Sequence, residues 1–155
     1  MSVNSRRNTK ASAALSRLRV LLVDDERAVV KLLESMLREM GVSQVYGASN
    51  GAEALDFLTT CPDVINLVIA DWNMPVMSGI QLLQHLRTKD PAMPFVMVTG
   101  RATAESVNEA KSLQVTAYVR KPFSQEEVLR KLEAIAATIR PEAPPDEAPT
   151  NLHPA

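Results

Sequence analysis

Residues 19–25 read RVLLVDD, an apolar run that ends at two aspartates. Similar runs recur at NLVIA (66–70) and PFVMV (94–98), and weaker ones at TAYV (116–119) and SQVYGA (43–48). A short apolar run bounded by polar residues is typical of a strand that is buried on both faces of a parallel sheet. We therefore expect five strands, with the least apolar one, 43–48, at an edge.

The segments between the runs have the spacing and the end residues of helices. Apolar side chains recur at helical spacing from Val29 to Met40, and Gly41 follows as a C-cap. Asn50, Ser78 and Ser124 stand where N-caps are expected. Strands and helices that alternate five times predict an α/β fold, a doubly wound (βα)5 unit with helices on both faces of a five-stranded parallel sheet.

Length and composition predict one soluble domain. The chain has 155 residues, of which 46% are hydrophobic and 23% charged, with a formal net charge of −1. Its single cysteine, Cys61, excludes an internal disulfide, and no apolar run approaches the roughly 18 residues of a membrane span. The first 18 residues lack the apolar core of a signal peptide, so we expect a cytoplasmic protein.

Two polar tails flank the predicted domain. Residues 1–19 carry five basic side chains and no acidic one, and we expect 1–17 to be a basic, flexible arm. Residues 140–155 contain five of the ten prolines, so they are predicted to be disordered or extended. The folded domain is therefore predicted to span residues 18–139, with no second domain.

Polar residues stand at the ends of the predicted strands. Asp24 and Asp25 follow the first strand, Asp71 follows the third, Thr99 ends the fourth, and Lys121 lies just past the fifth. Parallel strands bring their carboxyl ends to one edge of the sheet, where ligands bind in such folds. Three carboxylates there would raise one another's pKa unless a cation lies between them, and their oxygens suit Mg²⁺. Lysine and threonine can donate to phosphate oxygens, so the cluster predicts phosphoryl transfer.

Four motifs, taken in order, resemble the receiver domain of response regulators. They are LLVDDE (21–26), LVIADWNMPVMSG (67–79), VMVTG (96–100) and AYVRKPF (117–123). The likeness is to the stand-alone, CheY-like type, and it covers about residues 18–139. It implies a flavodoxin-like sheet with the strand order 2-1-3-4-5.

The resemblance implies a role for each residue of the cluster. Asp71 would accept a phosphoryl group from the phosphohistidine of a sensor kinase. Asp25 and Asp71 would ligate Mg²⁺, for which Mn²⁺ could substitute, together with the backbone carbonyl of Asn73. Asp24 would help to hold the metal ion through water, and Lys121 would pair with a phosphate oxygen.

The resemblance also implies a conformational switch. Thr99 would hydrogen-bond to the phosphoryl group, and Tyr118 would turn inward as Thr99 is drawn to it. The peptide bond before Pro122 would be cis. The fourth helix, predicted near 103–113, has the thinnest apolar stripe and would shift most easily. A downstream protein would then bind the surface formed by the fourth helix, the fifth strand and the fifth helix.

The chain departs from the family pattern at two places. The family usually has a Gly-Ala pair shortly before the aromatic residue, where this chain has Gln114 and Val115. A turn position that often needs a positive φ would then hold a glutamine. Arg101, two residues past the threonine, flanks the expected path of the hydrolytic water together with Asn73, so both would tune dephosphorylation.

These features predict a single-domain response regulator that is a phosphoacceptor and not an enzyme. It would catalyse its own phosphorylation, lose the phosphoryl group slowly, and act as a monomer or as a weak dimer linked to phosphorylation. Its partners would be a sensor histidine kinase or a histidine phosphotransfer protein, and a downstream protein. No DNA-binding domain is expected. The likeness around DWNMPVMSG favours chemotaxis.

Other readings stay open. A relay intermediate would pass its phosphoryl group on to a histidine phosphotransfer protein. An Asp-nucleophile phosphatase would need a second acid two residues after Asp71, where Asn73 stands. A dinucleotide-binding domain would need a G-x-G-x-x-G loop, a pattern that the five glycines never form. A pseudo-receiver that only binds partners would not need the aspartates, the threonine and the lysine that this chain has at its strand ends.

Overall fold

The five predicted strands form one parallel sheet in a computed structural model that describes residues 13–100 and 103–139. The order is 2-1-3-4-5, as the resemblance implied. Four of the five strands begin one residue later than predicted, and Asp71 is the last residue of the third strand because its backbone still pairs with Val98. The strands are β1 (Arg19–Val23), β2 (Gln44–Ala48), β3 (Leu67–Asp71), β4 (Phe95–Thr99) and β5 (Ala117–Arg120).

In the described part of the chain, five helices cover both faces of the sheet, and helical residues 13–15 precede the first strand. One face carries the first and fifth helices, and the other carries the second, third and fourth, each with its own cluster of buried apolar side chains. The predicted doubly wound architecture is therefore confirmed. The helices are α1 (Arg27–Met40), α2 (Gly51–Thr60), α3 (Gly79–Lys89), α4 (Ala104–Ser112) and α5 (Gln125–Ala136). None of the helices among the described residues is long and apolar enough to cross a membrane.

The predicted caps set the helix ends. Gly41 ends α1 at φ 105°, a left-handed conformation that glycine adopts without steric penalty. The side chains of Asn50, Ser78 and Ser124 each accept a hydrogen bond from the backbone N–H three residues on, at the starts of α2, α3 and α5. These local signals lie in the sequence itself, so the helix starts were predictable.

The packed part of the chain begins before residue 18. Leu15 and Leu18 are buried in the core between the sheet and helices α1 and α5. The folded unit therefore includes residues 14–17, which were predicted to belong to the flexible arm, as well as residue 18. Residues 1–12, 101–102 and 140–155 lie outside the described part, and with them most of the basic arm, Arg101 and the proline-rich tail.

Helix α4 is the least buried of the five, as its sequence predicts. Within its residues 104–112, Ala110 alone is fully buried, whereas α3 buries five residues and α5 four. Burial of apolar area contributes about 25 cal/mol per Å², so α4 is held by much less hydrophobic free energy than its neighbours. Less hydrophobic free energy therefore opposes a displacement of α4 than of α3 or α5.

The turn that leads into β5 contains the predicted backbone strain. Gln114 has φ 57°, a left-handed conformation that a glycine would normally fill. The half-buried side chain of Arg87, from the end of α3, holds this turn: its guanidinium donates to the carbonyls of Leu113 at 2.8 Å and Gln114 at 2.9 Å. It also donates to the carbonyl of Met93 at 2.9 Å. One side chain thus ties α3, the entry of β4 and the entry of β5 together.

Candidate functional site

The register of the sheet assembles the candidate site at the carboxyl ends of the strands. Val23 is paired with Ala70, so the residues that follow them, Asp24 and Asp71, lie level on neighbouring strands. Thr99 is one residue beyond the partner of Asp71 on β4. The backbone N–H of Lys121 donates to the carbonyl of Thr99 at 2.8 Å. Parallel pairing therefore brings together the residues that the sequence had singled out.

Three carboxylates and one ammonium group form the centre of the site. Asp24, Asp25 and Asp71 each place a carboxylate oxygen within 4.8 Å of the other two. The Nζ of Lys121 lies 3.4 Å from Oδ2 of Asp24 and 3.5 Å from Oδ2 of Asp71. The lysine thus bridges the two buried acids, while Asp25 is exposed. Three negative charges against one positive charge leave the cluster with an excess of negative charge.

Burial and repulsion act on the two inner acids in the same direction. Burial is the main cause that raises the pKa of Asp71, and the charge of Asp24 raises it further. Burial also raises the pKa of Asp24, although the N–H of Glu26, which donates to its Oδ1 at 2.9 Å, works against this. Lys121 lowers both pKa values without cancelling the effect of burial. An additional cation would therefore be favourable here.

The donor set fits a hard divalent cation. The three aspartates offer oxygen ligands on one open side of the cluster, since Asp25 faces solvent. Asn73, whose backbone carbonyl is the predicted further ligand, is exposed in the loop two residues after Asp71. Carboxylate oxygens with solvent access are the environment in which Mg²⁺ binds and keeps several waters.

Thr99 and Tyr118 lie on the same face of the sheet, beneath α4. Tyr118 is paired with Met97, two residues before Thr99, and side chains two apart along a strand share a face. Thr99 is fully buried, and Tyr118 packs against the cluster that contains Ala110 of α4. The hydroxyl of Tyr118 is buried without a hydrogen-bond partner among the described residues, which costs about 1–3 kcal/mol. This cost destabilises the observed position of the Tyr118 side chain relative to a second position in which the hydroxyl is hydrogen-bonded.

Gly79 positions the backbone of Asp71, which the sequence did not reveal. A Cβ atom on Gly79 would clash with the carbonyl oxygen of Asp71, so the start of α3 packs directly on that peptide. The N–H of Gly79 donates to the carbonyl of Trp72 at 2.9 Å. Gly79 stood inside a quoted motif, but the contact joins positions on two elements, and no local pattern predicts it.

The loop between Asp71 and α3 contains a second unpredicted feature. Val76 has φ 70° and is 83% exposed. A β-branched residue at positive φ is unusual, and strain of this kind is often found near functional sites. The predicted cis bond before Pro122 is confirmed. Arg101 lies outside the described residues, so its place beside the site stays a prediction.

Comparison with known proteins gives consistent matches. Residues 20–133 match the model of the response regulator receiver domain. A chemotaxis protein CheY homolog of Campylobacter jejuni is 35% identical over 123 residues, which cover 78% of this chain and 94% of that protein. Chemotaxis protein CheY-3 of Vibrio cholerae is 32% identical over 120 residues, 76% of this chain and 91% of that protein. Among solved structures, chemotaxis protein CheY4 of Vibrio cholerae superposes with a TM-score of 0.69 at 29% identity, covering 76% of this chain and 98% of that one.

Proposed function

Since the chain belongs to the response-regulator receiver domain family, a family of signalling phosphoacceptors, we propose that it is a CheY-like response regulator phosphorylated on Asp71. The observation that carries this proposal is the position of the Asp71 carboxylate, 3.5 Å from the Lys121 ammonium and beside two further acids. A sensor kinase or a histidine phosphotransfer protein supplies the phosphoryl group.

The proposed transfer is a displacement at phosphorus. A carboxylate oxygen of Asp71 forms a bond to phosphorus as the bond from phosphorus to the histidine ring nitrogen breaks. The electron pair of that bond stays on the nitrogen, which takes up a proton, and the product is an acyl phosphate. Such transfers depend on positioning and on neutralisation of the phosphoryl oxygens.

The residues around Asp71 divide this task. The ammonium of Lys121, freed from the carboxylates, pairs with one phosphoryl oxygen, and the hydroxyl of Thr99 donates to another. Asp24, Asp25, Asp71 and the Asn73 carbonyl would hold Mg²⁺ or Mn²⁺. When bound, the metal ion supplies positive charge for the acids and the phosphoryl oxygens.

Phosphorylation is coupled to the surface through Thr99 and Tyr118. The new group carries about −1.5 to −2 charges, and Thr99 moves towards it to donate a hydrogen bond. Tyr118 follows on the same face, and α4, the least buried helix, shifts over it. The surface of α4, β5 and α5 then binds a downstream protein. The names of the relatives favour chemotaxis as the pathway.

The phosphoacceptor is tested with a small phosphodonor. Incubation of the whole chain with acetyl phosphate and Mg²⁺ should add one phosphate, which intact-mass spectrometry detects. Asp71→Asn should abolish the addition, whereas Asp56→Asn, at an exposed position of α2, should leave it unchanged. A phosphate that persists on the Asp71→Asn variant would assign the acceptor to another residue.

The metal site is tested by titration. Trp72 follows the phosphoacceptor and is half-buried, so its fluorescence should change as Mg²⁺ binds. Asp25→Ala should weaken the response, and Asp56→Asn should not. Equal responses in the wild type and Asp25→Ala would place the metal elsewhere.

The switch is tested by amide hydrogen exchange. Addition of beryllofluoride and Mg²⁺ should change exchange across residues 99–119 more than across residues 27–58. Thr99→Ala should reduce the change and still permit phosphorylation. A uniform change would refute the proposed output surface. Transfer of the phosphoryl group from the labelled protein to a histidine phosphotransfer domain would favour the relay alternative.

A further inference from the structure

A shallow groove of about 400 Å³ lies between β5, at the edge of the sheet, and helix α5. Small or apolar side chains form its floor: Ala117 from β5, Ala134 and Ile135 from α5, and Thr138 just past the end of that helix. The groove is shallow, and an extended chain is narrower than a helix, whose diameter with side chains is about 10 Å.

Two cations and no acid line the groove among the described residues. Arg130 is 72% exposed, and its ion pair with Glu126 is long, at 3.8 Å. Exposed pairs of this kind contribute little, so the guanidinium is available to another acid. The ammonium of Lys131 donates to the carbonyl of Tyr118 at 2.7 Å, which fixes its charge at the rim.

The segment that follows α5 has the opposite charge and an extended bias. Residues 140–155 read RPEAPPDEAPTNLHPA, with three acids, one basic residue and five prolines. Proline favours the extended polyproline II conformation and lowers the entropy lost when a chain docks. The segment leaves the described part at Ile139, directly after the groove residue Thr138.

The chain length places the acids level with the cations. Thr138 lies two residues past the end of α5, and from there back to Arg130 the chain covers eight residues, about 12 Å at the helical rise per residue. Four residues in polyproline II cover the same distance at about 3.1 Å each. If residues 140–142 reverse the chain, residues 143–146 run along the groove, and Asp146 and Glu147 come level with Arg130.

We propose that residues 140–147 of this chain fold back into the groove between β5 and α5, with Asp146 and Glu147 paired to Arg130. The contact requires neither metal nor phosphorylation. It covers part of the surface through which the protein is proposed to bind its target, so the tail competes with that target.

The pairing is tested in the full chain by amide chemical shifts. The double substitution Asp146→Asn with Glu147→Gln should shift the amide resonances of Ala117 and residues 130–138. Glu142→Gln, which changes an acid at the reversal, should shift them less. Arg130→Gln should shift the same resonances and remove any further response to the double substitution.

The position of the tail is tested independently by a nitroxide. In a Cys61→Ala background, a spin label on Ala148→Cys should broaden the amide resonances of Ala117 and Ala134 more than those of α1. Equal broadening of α1 and α5 would overturn the proposal. Broadening that arises only between labelled and unlabelled molecules in a mixed sample would also overturn it, because the occupant would then be a second copy.

Discussion

Replacement of Asp71 by asparagine should stabilise the metal-free protein. The carboxylate of Asp71 lies within 4.8 Å of those of Asp24 and Asp25 and 3.5 Å from the ammonium of Lys121. At an effective dielectric constant of about 20, the repulsion from Asp24 amounts to about 3.5 kcal/mol and the attraction of Lys121 to about 4.7 kcal/mol, whereas the repulsion from the exposed Asp25 is screened by solvent. These two interactions leave about 1 kcal/mol in favour of the carboxylate, and burial, the largest of the influences that raise the pKa of Asp71, outweighs it.

Urea unfolding followed by far-ultraviolet circular dichroism measures this effect. In EDTA the free energy of unfolding of Asp71→Asn should exceed that of the wild type by about 1 kcal/mol, a shift of about 0.5 M in midpoint at an m value of about 2 kcal/mol/M. The control Asp56→Asn should change it by less than about 0.5 kcal/mol. With Mg²⁺ the wild type should gain more stability than Asp71→Asn, so the difference should narrow.

The sign of the change decides the outcome. An Asp71→Asn variant that is no more stable than the wild type in EDTA would show that Lys121 already neutralises the cluster. The same result would remove the argument that the acids require a metal ion. If the difference in free energy of unfolding between Asp71→Asn and the wild type stays the same when Mg²⁺ is added, the metal does not bind through Asp71.

Three further substitutions test packing and backbone strain, each by urea unfolding. Gln114→Gly should raise stability by about 0.5 kcal/mol, because the steric strain removed at this left-handed position exceeds the stability lost to the greater entropy of glycine in the unfolded chain. A loss of stability would show that the turn is unstrained. Arg87→Met should lower stability by about 3 kcal/mol because carbonyl acceptors lose a charged donor, whereas Arg130→Met should change it by less than about 0.5 kcal/mol. Gly79→Ala should lower stability by about 2 kcal/mol and slow phosphorylation by acetyl phosphate. The control Gly47→Ala should be tolerated, because the nearest atom to its Cβ would lie 3.7 Å away. Equal effects of the two substitutions would refute the close approach of Gly79 to the phosphoacceptor.

The candidate site was largely predictable because its residues follow strands directly. An apolar run identifies a strand, and parallel strands bring their ends to one edge whatever the details of packing. Asp24, Asp71 and Thr99 could therefore be grouped before any distance was known. The roles of Asn73 and Tyr118 came from the resemblance alone, because neither has a local pattern that identifies it.

The sequence by itself determined the alternation of strands and helices, the caps and the polar residues at the strand ends, because each depends on residues a few positions apart. Only the tertiary structure decided that Lys121 bridges two acids, that Arg87 ties the turn before β5 to α3, and that α3 packs on the Asp71 peptide. Each of these contacts joins positions on different elements. Their geometry depends on how the helices pack on the twisted sheet, and the periodicity along one segment does not encode this packing.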